Sequence, residues 1–240
     1  MAIQTVLFDL DGTLLPMDQN VFVKSYLGRI ARAMAVHGYD PDKLVKAIWS
    51  GTDAMVRNDG SRLNEAVFWD TFAGFFGAPT PQELALFDAF YREGFPAVQE
   101  SCGFTPRAKE VLDKVKALGL QAVLATNPIF PAAATHQRVQ WAGLQTSDFL
   151  HITTYENASF CKPNPDYYRE ILHKLGLAPE ECLMVGNDVG EDMCVTEMGM
   201  EAFWLDTWPL NRKDLPTDHL RRGGFDELLR LIDGLPAVDA

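Results

Sequence analysis

The chain is short of positive charge and of cysteine. Lysine and arginine total 21 against 33 aspartates and glutamates in 240 residues, a formal net charge of -12. That balance argues against nucleic acid or an anionic membrane as the general partner, since both favour a basic surface. It leaves room for a small anionic ligand, which needs only local positive groups. The four cysteines, Cys102, Cys161, Cys182 and Cys194, form no Cys-x-x-Cys pair. Free thiols in a cytoplasmic protein are expected, not a disulfide framework. The five histidines show no metal-type spacing. No apolar run reaches membrane-spanning length, and no charged-then-apolar leader precedes the first hydrophobic stretch at Ile3. Internal repeats and low-complexity segments are also missing.

Hydrophobic residues make up 47% and charged residues 22%, ordinary for a globular protein with a sizeable core. The apolar pattern divides the chain in two. From about Leu15 to Ser101 only helical spacing occurs. Phe22, Tyr26, Ile30 and Met34 recur every four residues, and Gly38 ends that run. Asp40-Pro41 starts a second helix, Asn64 is a candidate cap for a third, and Thr80-Pro81-Gln82-Glu83 has the form of a capping box. Elsewhere strands and helices alternate. Strand-like runs cover residues 3–8, 121–126, 182–186 and 202–205, with helical stretches after Thr105-Pro106, Pro131, Asn164-Pro165 and Gly224 and another running to Met198. Such alternation implies a parallel sheet with helices on both faces. The expected fold is therefore an α/β, Rossmann-like core of residues 1–14 and 102–240, with an all-helical unit of residues 15–101 inserted after the first strand.

Four strand ends carry polar residues. The first run closes with Asp9-Leu10-Asp11-Gly12-Thr13. Two carboxylates ~4 Å apart repel by about 4 kcal/mol at an effective dielectric near 20, and a divalent cation removes that conflict. A solvated Asp-x-Asp-Gly turn is the plain alternative. The second run ends in Thr126-Asn127, a hydroxyl and a backbone N–H suited to phosphoryl oxygens, or simply a Thr-Asn-Pro turn. Lys162 stands between Cys161 and Pro163-Asn164-Pro165, either stiffened toward a site or an ordinary surface lysine. The third run ends in Gly186-Asn187-Asp188-Val189-Gly190-Glu191-Asp192. Asp188 and Asp192 share a face if a helix begins there, and acids also suit the first turn of a helix without any ligand.

In order, strand context and residue type, these four stretches resemble the haloacid dehalogenase superfamily, and the helical insertion is similar to the cap of its phosphatases, phosphoglycolate phosphatases among them. The resemblance implies the following roles. Asp9 is the nucleophile that forms an aspartyl-phosphate, and Asp11 is the general acid and then base. Thr126 and the Asn127 amide hold the phosphoryl group, and Lys162 neutralises charge. Asp188, the Asp9 carboxylate and the Asp11 carbonyl hold Mg²⁺, steadied by Asp192; Asn187 stands where relatives carry an acid. The implied substrate is a small phosphorylated metabolite, such as phosphoglycolate or a sugar phosphate. A phosphomutase uses the same residues and is the main alternative; a non-catalytic metabolite-binding module is a more distant one. The dehalogenase branch lacks a second acid at the position of Asp11. In the polar loop 57–62, Arg57 and then Arg62 are candidates to touch the leaving group, with a solvated loop as the alternative.

Overall fold

The computed structural model describes residues 2–238. Strand β1 (Thr5–Phe8) is wholly buried. Four helices follow it: α1 (Gln19–Ala35), α2 (Pro41–Val56), α3 (Asn64–Phe76) and α4 (Pro81–Ala89). A π turn and a 3₁₀ stretch carry the chain from Phe90 to Ser101. The alternating part then runs α5 (Arg107–Ala117), β2 (Gln121–Leu124), α6 (Ala132–Trp141), β3 (His151–Ile152), α7 (Pro165–Leu175), β4 (Cys182–Gly186), β5 (Glu201–Leu205), β6 (Arg222–Gly223) and α8 (Phe225–Asp233).

The strands form one sheet in the order β3-β2-β1-β4-β5-β6, and every neighbouring pair is parallel. Continuous apolar strands such as Val6-Leu7-Phe8 and Leu183-Met184-Val185 suit a sheet covered on both faces. The chain order reverses at β1, which has β2 on one side and β4 on the other. In such sheets the crevice beyond the carboxyl ends of the strands at this reversal is where ligands sit.

The local signals explain most helix boundaries. Asp18 and Asp40 cap α1 and α2, Thr80 and Glu83 form the reciprocal capping box of α4, and Asn164 caps α7. Phe22, Tyr26, Ile30 and Met34 form the buried stripe of α1. Three expectations need correction. Asn64 does not cap α3; the cap position is Leu63, and the Asn64 amide turns inward to the carbonyls of Pro128 and Phe160 (both 3.3 Å). Strands β3 and β6 were not foreseen, because two residues are too few to carry a periodic signal. No helix begins at Asp188: residues 188–192 form a turn, and only a 3₁₀ helix at Met193–Met198 follows.

The helical insertion leaves and rejoins the α/β part through two strands of chain that lie side by side. Gly103 N–H donates to the Pro16 carbonyl (2.7 Å), and Met17 bridges to Cys102. Aromatic rings fasten the two parts together. Phe95 stacks on Trp141 (centroids 5.2 Å apart), and Tyr26 packs edge-on against Phe130 (5.2 Å). No described helix is long and apolar enough to cross a membrane.

Candidate active site

Asp9 directly continues β1. Its N–H donates to the Val185 carbonyl of β4 (2.9 Å), so the parallel ladder holds its backbone one residue past the strand. The chain then turns through Gly12 at φ +88°, where a Cβ would lie 2.3 Å from the Asn187 amide nitrogen. Glycine alone fits there. The turn brings Thr13 back, and its hydroxyl donates to Asp9 Oδ2 (3.0 Å).

Lys162 is 1% exposed. Its ammonium donates to Asp9 Oδ1 (2.9 Å) and to Asp192 Oδ1 (2.6 Å). Burial favours the neutral amine, but Asp192 and Asp9 outweigh it and hold the Lys162 pKa well above its usual value. Asp192 Oδ2 accepts the Asp188 N–H (3.0 Å), so both its oxygens are held within the protein. Gly186 leaves the space for this: a Cβ there would meet Asp192 Oδ2 at 2.2 Å. Asp192, expected to steady a metal site, lines the pocket and holds the Lys162 ammonium. Burial pushes its carboxyl up, and the Lys162 charge opposes that. Replacing Lys162 with Met strands Asp9 and Asp192 as buried like charges. The expected loss is about 3–5 kcal/mol of stability, read from the urea unfolding midpoint, and a second change, Asp192→Asn, should recover part of it. A loss under about 1 kcal/mol would show that the ammonium does not compensate these acids.

Asp11 faces a group that sequence reading missed. Arg138 on α6 is 1% exposed, donates to Asp11 Oδ2 and to the Thr135 hydroxyl (3.2 Å), and lies 4.6 Å over the Phe130 ring. Burial pushes the Asp11 carboxyl up, Arg138 opposes it and Asp9 adds to it. The signal was present in α6: Ala134, Arg138 and Trp141 fall at i, i+4 and i+7, an arginine on an apolar face.

At the end of β2, the Thr126 carbonyl accepts from the Thr153 hydroxyl (2.6 Å) and from the Tyr167 hydroxyl (2.8 Å), which anchors that strand tip. Asn127 donates its amide to Glu191 (3.3 Å). Beyond β4, Asp188 Oδ1 accepts the N–H groups of Gly190 (2.9 Å) and Glu191 (3.1 Å), and Oδ2 accepts from Arg212 (2.7 Å). Arg212 and Glu191 lay outside the sequence expectations for the site; Arg212 sits in an irregular segment with no periodic signal. Asn187 lines the phosphoryl pocket and is bonded at both ends of its amide. It accepts the Thr13 hydroxyl (3.2 Å) and donates to the Trp208 carbonyl (2.6 Å).

Asp9, Asp11, Thr126, Asn127, Asp188, Glu191 and Asp192 all line one pocket of about 140 Å³. No three carboxylate, imidazole or thiolate side chains converge as a cation cage among the described residues. Besides Asp192, the pocket holds the carboxylates of Asp9, Asp11, Asp188 and Glu191, each already bonded to a protein donor. Asp11 Oδ1 is a further buried oxygen with no partner. Oxygen donors of this kind suit a hard divalent cation such as Mg²⁺. Arg57 and Arg62 do not line this pocket. Both are exposed and paired on the helical surface, Arg57 with Asp53 and Arg62 with Asp70.

A phosphoserine phosphatase of Thermus thermophilus is 28% identical over 84% of this chain and 88% of its own. The structure of a phosphatase from Thermococcus onnurineus shares the fold at a TM-score of 0.58, with 20% identity over 98% of this chain and 100% of the other. A 2-haloacid dehalogenase from Pseudomonas syringae shares it at 0.61, with 18% identity over 96% and 98%. The model of the haloacid dehalogenase-like hydrolases matches residues 3–193, four-fifths of the chain with all four strand-end motifs, and the chain belongs to that family.

Proposed function

We propose that the protein is a Mg²⁺-dependent phosphatase for a small phosphomonoester, working through an aspartyl-phosphate on Asp9. The observation that carries this reading is the meeting of Asp9, Asp11, Thr126 and Asp188 in one pocket, with Lys162 bonded to Asp9 from behind. Phosphoryl transfer needs positioning and charge neutralisation more than covalent help, and these groups supply both. The phosphatase named among the relatives supports it as well. So does Asp11, which ester formation at carbon has no use for.

In this reading an Asp9 oxygen attacks phosphorus, and the bond from phosphorus to the ester oxygen breaks. Asp11 gives that oxygen its proton, and the alcohol leaves. Asp11, now a carboxylate, takes a proton from water; the water oxygen attacks phosphorus, the bond to Asp9 breaks, and phosphate departs. Thr126 and the Asn127 N–H hold the phosphoryl oxygens, and Lys162 balances the charge on Asp9. Asp9, Asp188 and the Asp11 carbonyl are the groups that hold Mg²⁺, which when bound neutralises phosphoryl charge. Residues 15–101 act as the cap over a catalytic core of residues 1–14 and 102–240.

The test is phosphate release from a panel of phosphomonoesters. Release should require Mg²⁺, stop in excess chelator and return when Mg²⁺ is restored. Asp188→Ala should raise the Mg²⁺ concentration needed and lower the rate together. Full activity in chelator, from protein that holds no metal, would rule the metal role out. Release without any bisphosphorylated sugar also separates the phosphatase from a phosphomutase.

A further inference from the structure

The phosphoryl pocket opens onto a second space between α1, α2, α3 and the loop after β2. Val23, Ile129 and Phe130 line both. The second space is apolar, with walls that include Leu27, Ile48 and Trp69. Trp49 stands at it half-exposed. No lysine or arginine lines either space. Arg138 lies beneath Phe130, but it is buried and already paired with Asp11. Arg57 and Arg62 are paired away on the surface. The acids Asp11, Asp188 and Glu191 line the phosphoryl pocket alone, where Arg212 is bonded to Asp188. A leaving group that carries a carboxylate or a second phosphate into the second space therefore gives up its hydration with no cation in the lining to replace it. An alkyl group meets walls that are mostly apolar.

We propose that the ester's alcohol is small, uncharged and apolar, a short alkyl or branched alkyl group lodged between Phe130 and the helices of the insertion. This rests on the phosphatase reading and narrows it. The space is about 70 Å³. An apolar cavity of about 150 Å³ takes a benzene ring, so this one suits a few carbons and not a ring system. Phosphoglycolate, phosphoserine and pyrophosphate are then poor substrates, because each brings a second negative charge to a space with no lysine or arginine in its lining.

The experiment is kcat/KM for methyl, ethyl, propyl and isobutyl phosphate, with phosphoglycolate and phosphoserine as charged counterparts. Leaving-group acidity hardly changes along the alkyl series. Each methylene that enters the space should raise kcat/KM about fourfold until it is full. The carboxylate esters should fall about tenfold or more below propyl phosphate, although the alcohol of phosphoglycolate is the better leaving group. Thr52→Arg, which puts a cation into the wall lined by Thr52, should shift preference toward phosphoglycolate. Binding of the matching alkyl- and carboxyalkyl-phosphonates should follow the same order by calorimetry. A flat or falling alkyl series beside good turnover of the carboxylate esters overturns this inference and leaves the phosphatase reading standing. No turnover of any ester, with no phosphate trapped on the protein, overturns both.

Discussion

An Asp9→Asn enzyme is expected to bind phosphate esters and release no phosphate above background. The change is nearly isosteric. The remaining carbonyl oxygen can still accept from Thr13 or Lys162, and Lys162 keeps its shorter bond to Asp192. The fold should therefore survive, with an unfolding midpoint close to that of the parent. Chemistry should not survive, because a neutral amide is too weak a nucleophile to form the acyl phosphate. Rapid quench with radiolabelled substrate should find label on the parent protein and none on the variant. Near-normal turnover by Asp9→Asn would overturn the mechanism.

Asp11→Asn should fail differently. General acid–base catalysis typically contributes ~10²–10⁴-fold, and an alkyl ester should lose an amount in that range. An aryl ester leaves more easily and should lose less in the first step. A phosphorylated enzyme should then accumulate, since the base for the second step is gone. Arg138 adds a structural complication. Its buried guanidinium loses a charged partner, and removing one side of a buried ion pair typically costs about 3–5 kcal/mol. Asp11 is partly exposed, so the loss here should fall below that range. The double variant Asp11→Asn/Arg138→Met separates the two effects: it should recover stability and leave the rate low. Equal rate losses for aryl and alkyl esters would remove Asp11 from the acid role. Recovery of rate along with stability would mean that the single variant failed by misfolding.

Local chemistry carried much of this molecule into view. The stripe of Phe22, Tyr26, Ile30 and Met34 needs only 3.6-residue periodicity, and the caps at Asp40, Thr80 and Asn164 need only neighbours within one turn. The strand-end motifs were legible for a similar reason. In a parallel sheet each strand delivers its following loop to the same edge, so polar residues after β1, β2 and β4 meet without any knowledge of side-chain positions. Signals that need more context were lost. Strands β3 and β6 exist only because a neighbour pairs with two residues of each. Asn64 reads as a cap in sequence, but the loop it faces offers it buried carbonyls, and those win.

The sequence by itself determined the parallel α/β architecture, the helical insertion after β1 and the residues at the strand ends, because periodicity, capping and turn chemistry act over a few residues. Only the tertiary structure decided how charges pair across the chain. Lys162 lies 153 residues from Asp9 and 30 from Asp192, and Arg138 lies 127 from Asp11. No local pattern encodes such distances. Folding also decided that Arg57 and Arg62 pair on the surface and that apolar rings, not cations, face the space beside the phosphoryl pocket. A side chain's charge partner and its exposure depend on which elements pack together, and packing is a property of the whole chain.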